Sequence, residues 1–266
     1  MKKLPAFLLA SVLSGAMPGT ATASSSPWAD VQGGAVRLVT SGKPDADGML
    51  RGALQIDLKP GWKTYWRDPG DTGVPPAISL TGAALAGIAY PVPRRFSEEG
   101  TVWNGYEAPV SFAVSLKVPA GKAEEIGAHV FLGICQTICI PLQAELKLDP
   151  GAEPANLEDA AIVTQAFEAV PGPARSGFRL TDTKKAGEAL TVAAELPQPG
   201  EAAAELFLAA PEGYSFGPPK RLADKGGKAT FSVPLYEQPD NAAPGTMAAY
   251  TLVQNGEAVA GTISLP

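Results

Sequence analysis

The sequence predicts a mainly β protein, two immunoglobulin-like β-sandwich domains joined by a short helical linker. Three observations carry this. Apolar residues alternate at period 2 in many short runs. Gly (29) and Pro (26) are both abundant, which suits short strands joined by turns better than helical bundles. Before residue 150, about seven or eight such runs follow at roughly ten-residue spacing, the pattern of an immunoglobulin-type sandwich.

The N-terminus reads as an export signal peptide, residues 1–23. Lys2 and Lys3 precede an apolar segment from Leu4 to Leu13, and small residues lead to an A-x-A pattern at Ala21–Ala23. Cleavage is expected after Ala23. The apolar run is only about ten residues, whereas a membrane span needs about 20. No later stretch is long and apolar enough to cross a bilayer. The mature chain is therefore expected to be soluble in the periplasm of a bacterium, a compartment that permits disulfides. Its roughly 240 residues suffice for one large domain or two small ones, each able to bury a core. The net charge of −6 and the lack of Lys/Arg-rich runs argue against nucleic acid as a partner.

Within the first domain, 24–150, residues 24–34 read as a loose mature N-terminus and Ala35–Val39 as the first strand. Residues 42–48 form a turn. Asp45, Asp47 and Gly48 echo the start of a calcium loop, but the later ligands and closing Glu are missing, so this is a solvated turn. Leu54, Ile56 and Leu58 alternate in a strand over 50–58. Pro60-Gly61 turns the chain into Trp62–Arg67, and turns are expected at Asp68–Gly70 and Asp71–Gly73. Pro75 and Pro76 restrict residues 74–80 to an edge strand. Residues 91–100 read as a polar loop carrying an exposed Phe96, and Trp103–Tyr106 as another turn. Val110, Phe112, Val114, Leu116 and Val118 share one face of the cleanest strand.

The linker is 151–173. Asn156 is an N-cap candidate, Glu158 and Asp159 suit the first turn, and Pro171 to Pro173 stop a helix near Val170. The second domain, 174–266, alternates at Leu190–Leu196, Ala229–Val233 and Val259–Leu265, with Leu206–Leu208 as a buried strand and Asn255-Gly256 as a turn. It has no Cys, His or Trp, so it reads as scaffold or docking surface.

The chemistry concentrates in one stretch. Cys135 and Cys139 are the only cysteines, spaced C-x3-C between apolar runs at Val130–Leu132 and Leu142–Leu148. Four residues of extended strand span about 13 Å. A disulfide needs Cα atoms within roughly 7 Å, so the pair can bridge only if residues 136–138 fold as a tight turn. Closing so short a loop stabilises by only about 2 kcal/mol in the chain-entropy model. A redox role is therefore favoured over a structural staple, because small exposed rings tend to be the labile, working disulfides.

Other chemistry is poorly supported. No phosphate-binding Gly loop or HExxH motif occurs, and His129 cannot be placed beside a Ser or Asp. Cys135, Cys139 and His129 are a possible Cu(I) or zinc set, but a structural zinc wants four ligands, and no metal or other cofactor is expected. Trp62, Tyr65, Trp66, Phe96, Trp103 and Tyr106 read either as sandwich core or as an aromatic shield that swings aside from the sulfurs.

Residues 61–73 (Gly61-Trp62-Lys63-Thr64-Tyr65-Trp66-Arg67 through Gly73) and 135–141 (Cys135-Gln136-Thr137-Ile138-Cys139-Ile140-Pro141) together resemble the N-terminal periplasmic domain of the DsbD/ScsB family of thiol:disulfide interchange proteins. The resemblance covers residues 30 to 150; the helix and second β unit resemble the longer ScsB-like branch more weakly. It implies an immunoglobulin-like domain whose cysteines, matched here by Cys135 and Cys139, take electrons from a thioredoxin-like domain and pass them to periplasmic substrate proteins. Phe96 then corresponds to a cap phenylalanine and Tyr65 to a tyrosine lining the site. Full-length members continue into membrane and thioredoxin-like domains, so a thioredoxin-like or DsbD/CcdA-like membrane donor is implied as partner. The alternatives are a non-catalytic β-sandwich adaptor or chaperone with a structural disulfide, and a copper-binding protein.

Overall fold

A computed structural model describes residues 24–98, 100–119, 125–198, 203–222 and 228–266. The expected signal peptide lies outside them. The strands in chain order are β1 (Ala29–Val31), β2 (Gly34–Thr40), β3 (Met49–Leu58), β4 (Lys63–Gly70), β5 (Ala77–Thr81), β6 (Ala84–Ala89), β7 (Arg94–Glu98), β8 (Thr101–Tyr106), β9 (Val110–Lys117), β10 (Ile126–Cys135) and β11 (Cys139–Leu148). The helix α1 (Leu157–Glu168) follows. Then come β12 (Gly172–Pro173), β13 (Arg179–Ala186), β14 (Ala189–Glu195), β15 (Ala204–Ala209), β16 (Ser215–Phe216), β17 (Lys220–Arg221), β18 (Lys228–Glu237), β19 (Met247–Gln254) and β20 (Glu257–Ser264).

The fold is mostly β, built as immunoglobulin-like sandwiches. One sheet runs β1-β2-β3-β9-β6; the facing sheet runs β11-β10-β4-β8-β7, with β5 also paired to β10. Alternation puts Val36, Leu38, Leu54, Ile56, Phe112, Val114, Val130 and Leu132 into one core, each at most 1% exposed. At roughly 25 cal/mol per Å² of apolar surface removed from water, such residues are the main stabilising term. The later strands form two further sheets, β12-β20-β19-β15 and β13-β14-β18-β16, around Val192, Phe231, Val233 and Leu252.

The helix is both capped and packed. Asn156 Oδ1 accepts from the backbone N–H of Glu158 and of Asp159, as its position at the N-cap predicts. Val163 and Ala166 bury against Val39, Ala53 and Ala113 on the outer face of the first sheet, where small residues let the helix approach.

Four local expectations are corrected. The N-terminal segment is not loose: Ser24 is fully buried, its carbonyl accepts from Thr40 N and Oγ1 at 2.9 Å, and its hydroxyl donates to Asp159 Oδ2 at 2.5 Å. Residues 94–98 are strand rather than loop, because they pair along β8 from Arg94↔Gly105 to Glu98↔Thr101. Residues 103–106 are the partner strand, not a turn. Asp68–Gly70 continues β4, whose register against β8 shifts between Tyr65 and Gly70. In each case polar or Gly/Pro-rich composition masks backbone pairing.

The two pairs of sheets meet through β15. Phe207 packs edge-on against Trp66, with centroids 5.9 Å apart, and is buried with the first core.

Candidate functional site

The hairpin β10–β11 positions the sulfurs. Its ladder runs without a slip from Ile126↔Leu148 to Cys135↔Cys139. Residues 136–138 make the turn that the spacing requires, closed by Gln136 N–H donating to Ile138 O. The cysteine Cα atoms are 4.1 Å apart and the side chains are joined as a disulfide. Cys135 is 1% exposed, whereas Cys139 lies at the surface beside Ile138, which is 68% exposed.

The second support is β4, which pairs Thr64 with Ile134 and Lys63 with Cys135. Thr64 Oγ1 donates to Gly133 O at 2.9 Å, tying the two strands below the sulfurs. Tyr65 is 2% exposed and its hydroxyl oxygen lies 3.0 Å from Cys135 Sγ and 3.2 Å from Cys139 Sγ. Burial, and then the Glu98 carboxylate, raise the Tyr65 phenol above its ordinary pKa, so at neutral pH it is protonated and serves as the donor toward sulfur. Two glycines hold the ring. A Cβ at Gly73, whose φ is +117°, falls 2.5 Å from Tyr65 Cε1; one at Gly133 falls 3.1 Å from Cδ2 and Cε2 on the opposite edge.

The hairpin β7–β8 brings two further aromatic rings to the site. Trp103 meets Tyr65 edge-on at 5.8 Å and 79°. Phe96 stacks on Trp103 with centroids 4.0 Å apart and planes 16° from parallel. Tyr65, Trp103 and Cys135 are buried together, with Phe96 half-buried against them. Arg94 lies over the Phe96 ring at 4.9 Å, and Lys63 Nζ lies 4.4 Å from the Trp103 centroid while pairing with Glu98 of β7. An open cleft of about 590 Å³ leads to the disulfide past Lys63, Glu98, Thr101 and Gln136.

The aromatic set anticipated as one cluster thus divides. Trp62, Trp66 and Tyr106 belong to the sandwich core; Tyr65, Phe96 and Trp103 gather at the sulfurs. His129 lies on β10 about 20 Å from Cys135 along the strand, with its Nε2 3.8 Å from Glu145 Oε1. It does not join the cysteines in a ligand set, and among the described residues no group of three His, Cys, Asp or Glu converges to hold a metal. Composition and spacing alone do not single out Lys63 and Glu98. A signal existed: Lys63 shares a face of β4 with Tyr65, and Glu98 a face of β7 with Phe96, once both are read as strands.

An immunoglobulin-like sandwich thus carries a two-cysteine disulfide hairpin at its rim, with Tyr65, Trp103 and Phe96 packed beside it. Residues 38–150 match the family model described as "Thiol:disulfide interchange protein DsbD, N-terminal", and this segment belongs to that domain family. Among solved structures, the chain is similar to the crystal structure of the N-terminal periplasmic domain of ScsB from Proteus mirabilis. The two share 25% sequence identity and a TM-score of 0.74, over 91% of this chain and 98% of that one. No curated protein matches the chain by sequence. Among the described residues, no helix is long and apolar enough to cross a membrane.

Proposed function

We propose that the chain is a periplasmic thiol-disulfide oxidoreductase that relays electrons through Cys135 and Cys139. Electrons come from a thioredoxin-like or DsbD/CcdA-like membrane donor and go to periplasmic proteins carrying disulfides. The observation that carries this reading is the asymmetry of the pair: Cys139 is exposed at the turn, Cys135 is buried, and the Tyr65 hydroxyl reaches both sulfurs. Two domains, 24–150 and 174–266, are joined by 151–173; Cys135 and Cys139 are the redox pair, and Phe96 and Tyr65 shield it.

The exchange balances as two successive thiolate attacks. A donor thiolate attacks Cys139 Sγ, forming a mixed disulfide while Cys135 leaves as the thiolate. The donor's second thiolate then attacks the donor sulfur of the mixed disulfide and releases Cys139. The donor is oxidised to a disulfide and this chain gains two electrons, with two protons taken up as the thiolates are neutralised. In the forward step Cys139 attacks a substrate disulfide, Cys135 resolves the mixed disulfide, and the substrate leaves reduced. The Tyr65 hydroxyl is placed to donate a hydrogen bond to whichever sulfur carries negative charge.

The test is trapping. Cys135→Ser is expected to retain a covalent partner on a non-reducing gel, and Cys139→Ser to retain none. Failure of the unmodified protein to exchange with any thioredoxin-like donor, in either direction, excludes the relay. An adaptor role with a structural disulfide predicts instead that the double Cys→Ala variant keeps its activity in the cell.

A further inference from the structure

Arg95 has surroundings that the exchange itself does not require. It precedes Phe96 on β7, and period-2 alternation sends the two side chains to opposite faces of the strand. Phe96 turns to Trp103 and the disulfide. Arg95 turns to the second sandwich, where its guanidinium meets three consecutive residues of β15. Nη2 donates to Leu206 O at 2.7 Å, Nη1 is 3.8 Å from Glu205 Oε2, and Cζ lies 4.5 Å from the Phe207 ring centroid. The Arg95 side chain is only 18% exposed, while its Nε is buried with no hydrogen-bond partner.

Stability alone does not explain this arrangement. Burying a guanidinium with one donor unsatisfied is costly, and an apolar side chain would fill the interface at least as well. Such local violations concentrate where a position serves function. The strand is also gripped from the site side, by Phe96 on Trp103 and by Glu98 on Lys63. β7 is thus held between two bodies: one face toward the cysteines, the other toward β15.

We propose that Arg95 is a positioning residue through which the second sandwich holds Phe96 on Trp103, over the buried Cys135 side of the Cys135–Cys139 disulfide. Displacing β7 to admit a partner then breaks the contacts of Arg95 with Leu206 and Phe207. Cap opening and the contact between sandwiches form one two-state element, which gives the second sandwich a task in governing access. This proposal rests on the reading of the disulfide as a working pair.

The experiment uses the whole chain and a small reductant, dithiothreitol, so that no partner surface is involved. Reduction rates are measured for the unmodified protein, Arg95→Ala, Phe96→Ala and the double variant, with thermal midpoints recorded alongside. Arg95→Ala is expected to accelerate reduction by about five- to tenfold, the lower range for coupling between linked sites. In the Phe96→Ala background the same change is expected to add nothing, because Arg95 acts through Phe96. Arg95→Lys, which keeps one donor for Leu206 O, is expected to recover part of the closed behaviour. Should Arg95→Ala fold poorly, Phe207→Leu approaches the same contact from the other side and should also accelerate reduction. Equal rates for Arg95→Ala and the unmodified protein, or an acceleration that persists without Phe96, overturns the proposal. Neither result touches the relay, which fails only if exchange with thioredoxin-like donors is absent.

Discussion

The Tyr65 hydroxyl lies within hydrogen-bond reach of Cys135 Sγ, at 3.0 Å, from a ring that is 2% exposed. A buried phenol that stays protonated is a fixed dipole aimed at the atom where charge appears when the disulfide opens. Tyr65→Phe keeps the ring and its packing but removes that dipole. A hydrogen bond to a charged group contributes about 1.5–3 kcal/mol, so alkylation of the reduced protein at neutral pH should slow by about tenfold or more. The thermal midpoint should change little. A variant that alkylates at the unmodified rate would show that the hydroxyl serves packing alone.

Phe96 stacks on Trp103 beside the sulfurs, and the proposed shielding role rests on that stack. Aromatic pairs contribute about 0.5–1.5 kcal/mol beyond their buried area. Phe96→Ala should therefore speed reduction of the disulfide by small thiols by about two- to tenfold, and Phe96→Tyr should leave it nearly unchanged. The reading is a stopped-flow rate. Stability should fall by less than about 2 kcal/mol, because Phe96 is only half-buried.

Gly73 and Gly133 bracket the Tyr65 ring. Gly133→Ala inserts a methyl group 3.1 Å from the ring edge, at a backbone position that any residue can adopt, so its effect reports crowding alone. Gly73 adds the left-handed backbone, with φ at +117°. Gly73→Ala should cost about 2–3 kcal/mol and Gly133→Ala about 1–2 kcal/mol, and both should weaken the contact between Tyr65 and the sulfurs. Denaturant midpoints together with alkylation rates check this; midpoints that match the unmodified protein would mean the ring moves freely.

Much of this site was legible before the fold was known, for physical reasons. Two cysteines four positions apart admit a bridge only through a turn, and the observed hairpin supplies it. Asn156 sits where an N-cap is needed, and its side chain caps. The buried alternation of β3, β9 and β14 reads directly because their inner faces are apolar. The strand β7 is illegible for the converse reason. Arg94, Arg95, Ser97 and Glu98 surround one aromatic, and nothing in their composition reveals the ladder to β8 or the docking of Arg95 on β15. Ser24 likewise reads as loose from sequence because its carbonyl and hydroxyl partners, Thr40 and Asp159, are distant in the chain. Long-range polar contacts leave no period to detect.

Asp68 links the site's strand to pH. It stands near the end of β4 in a small cavity between the two sandwiches, lined also by Asp71, Arg95 and Asn104. Burial pushes its carboxyl up to about 6, against the lesser opposing effect of the Gly70 N–H that donates to Oδ1. Since the folded value lies above the unfolded one, near 3.9, the folded state holds the proton more tightly. The stabilising contribution is therefore fully present below about pH 4 and is lost as pH rises to about 6; above that the buried charge is a standing cost. The span corresponds to at most about 3 kcal/mol. Asp68→Asn keeps an oxygen for Gly70 N–H and carries no charge. It should raise stability at pH 7 and flatten the profile between pH 4 and 6. Denaturation midpoints across that range measure it: a variant whose midpoint falls at pH 7, or whose profile keeps the same slope as the unmodified protein, would place the titration elsewhere.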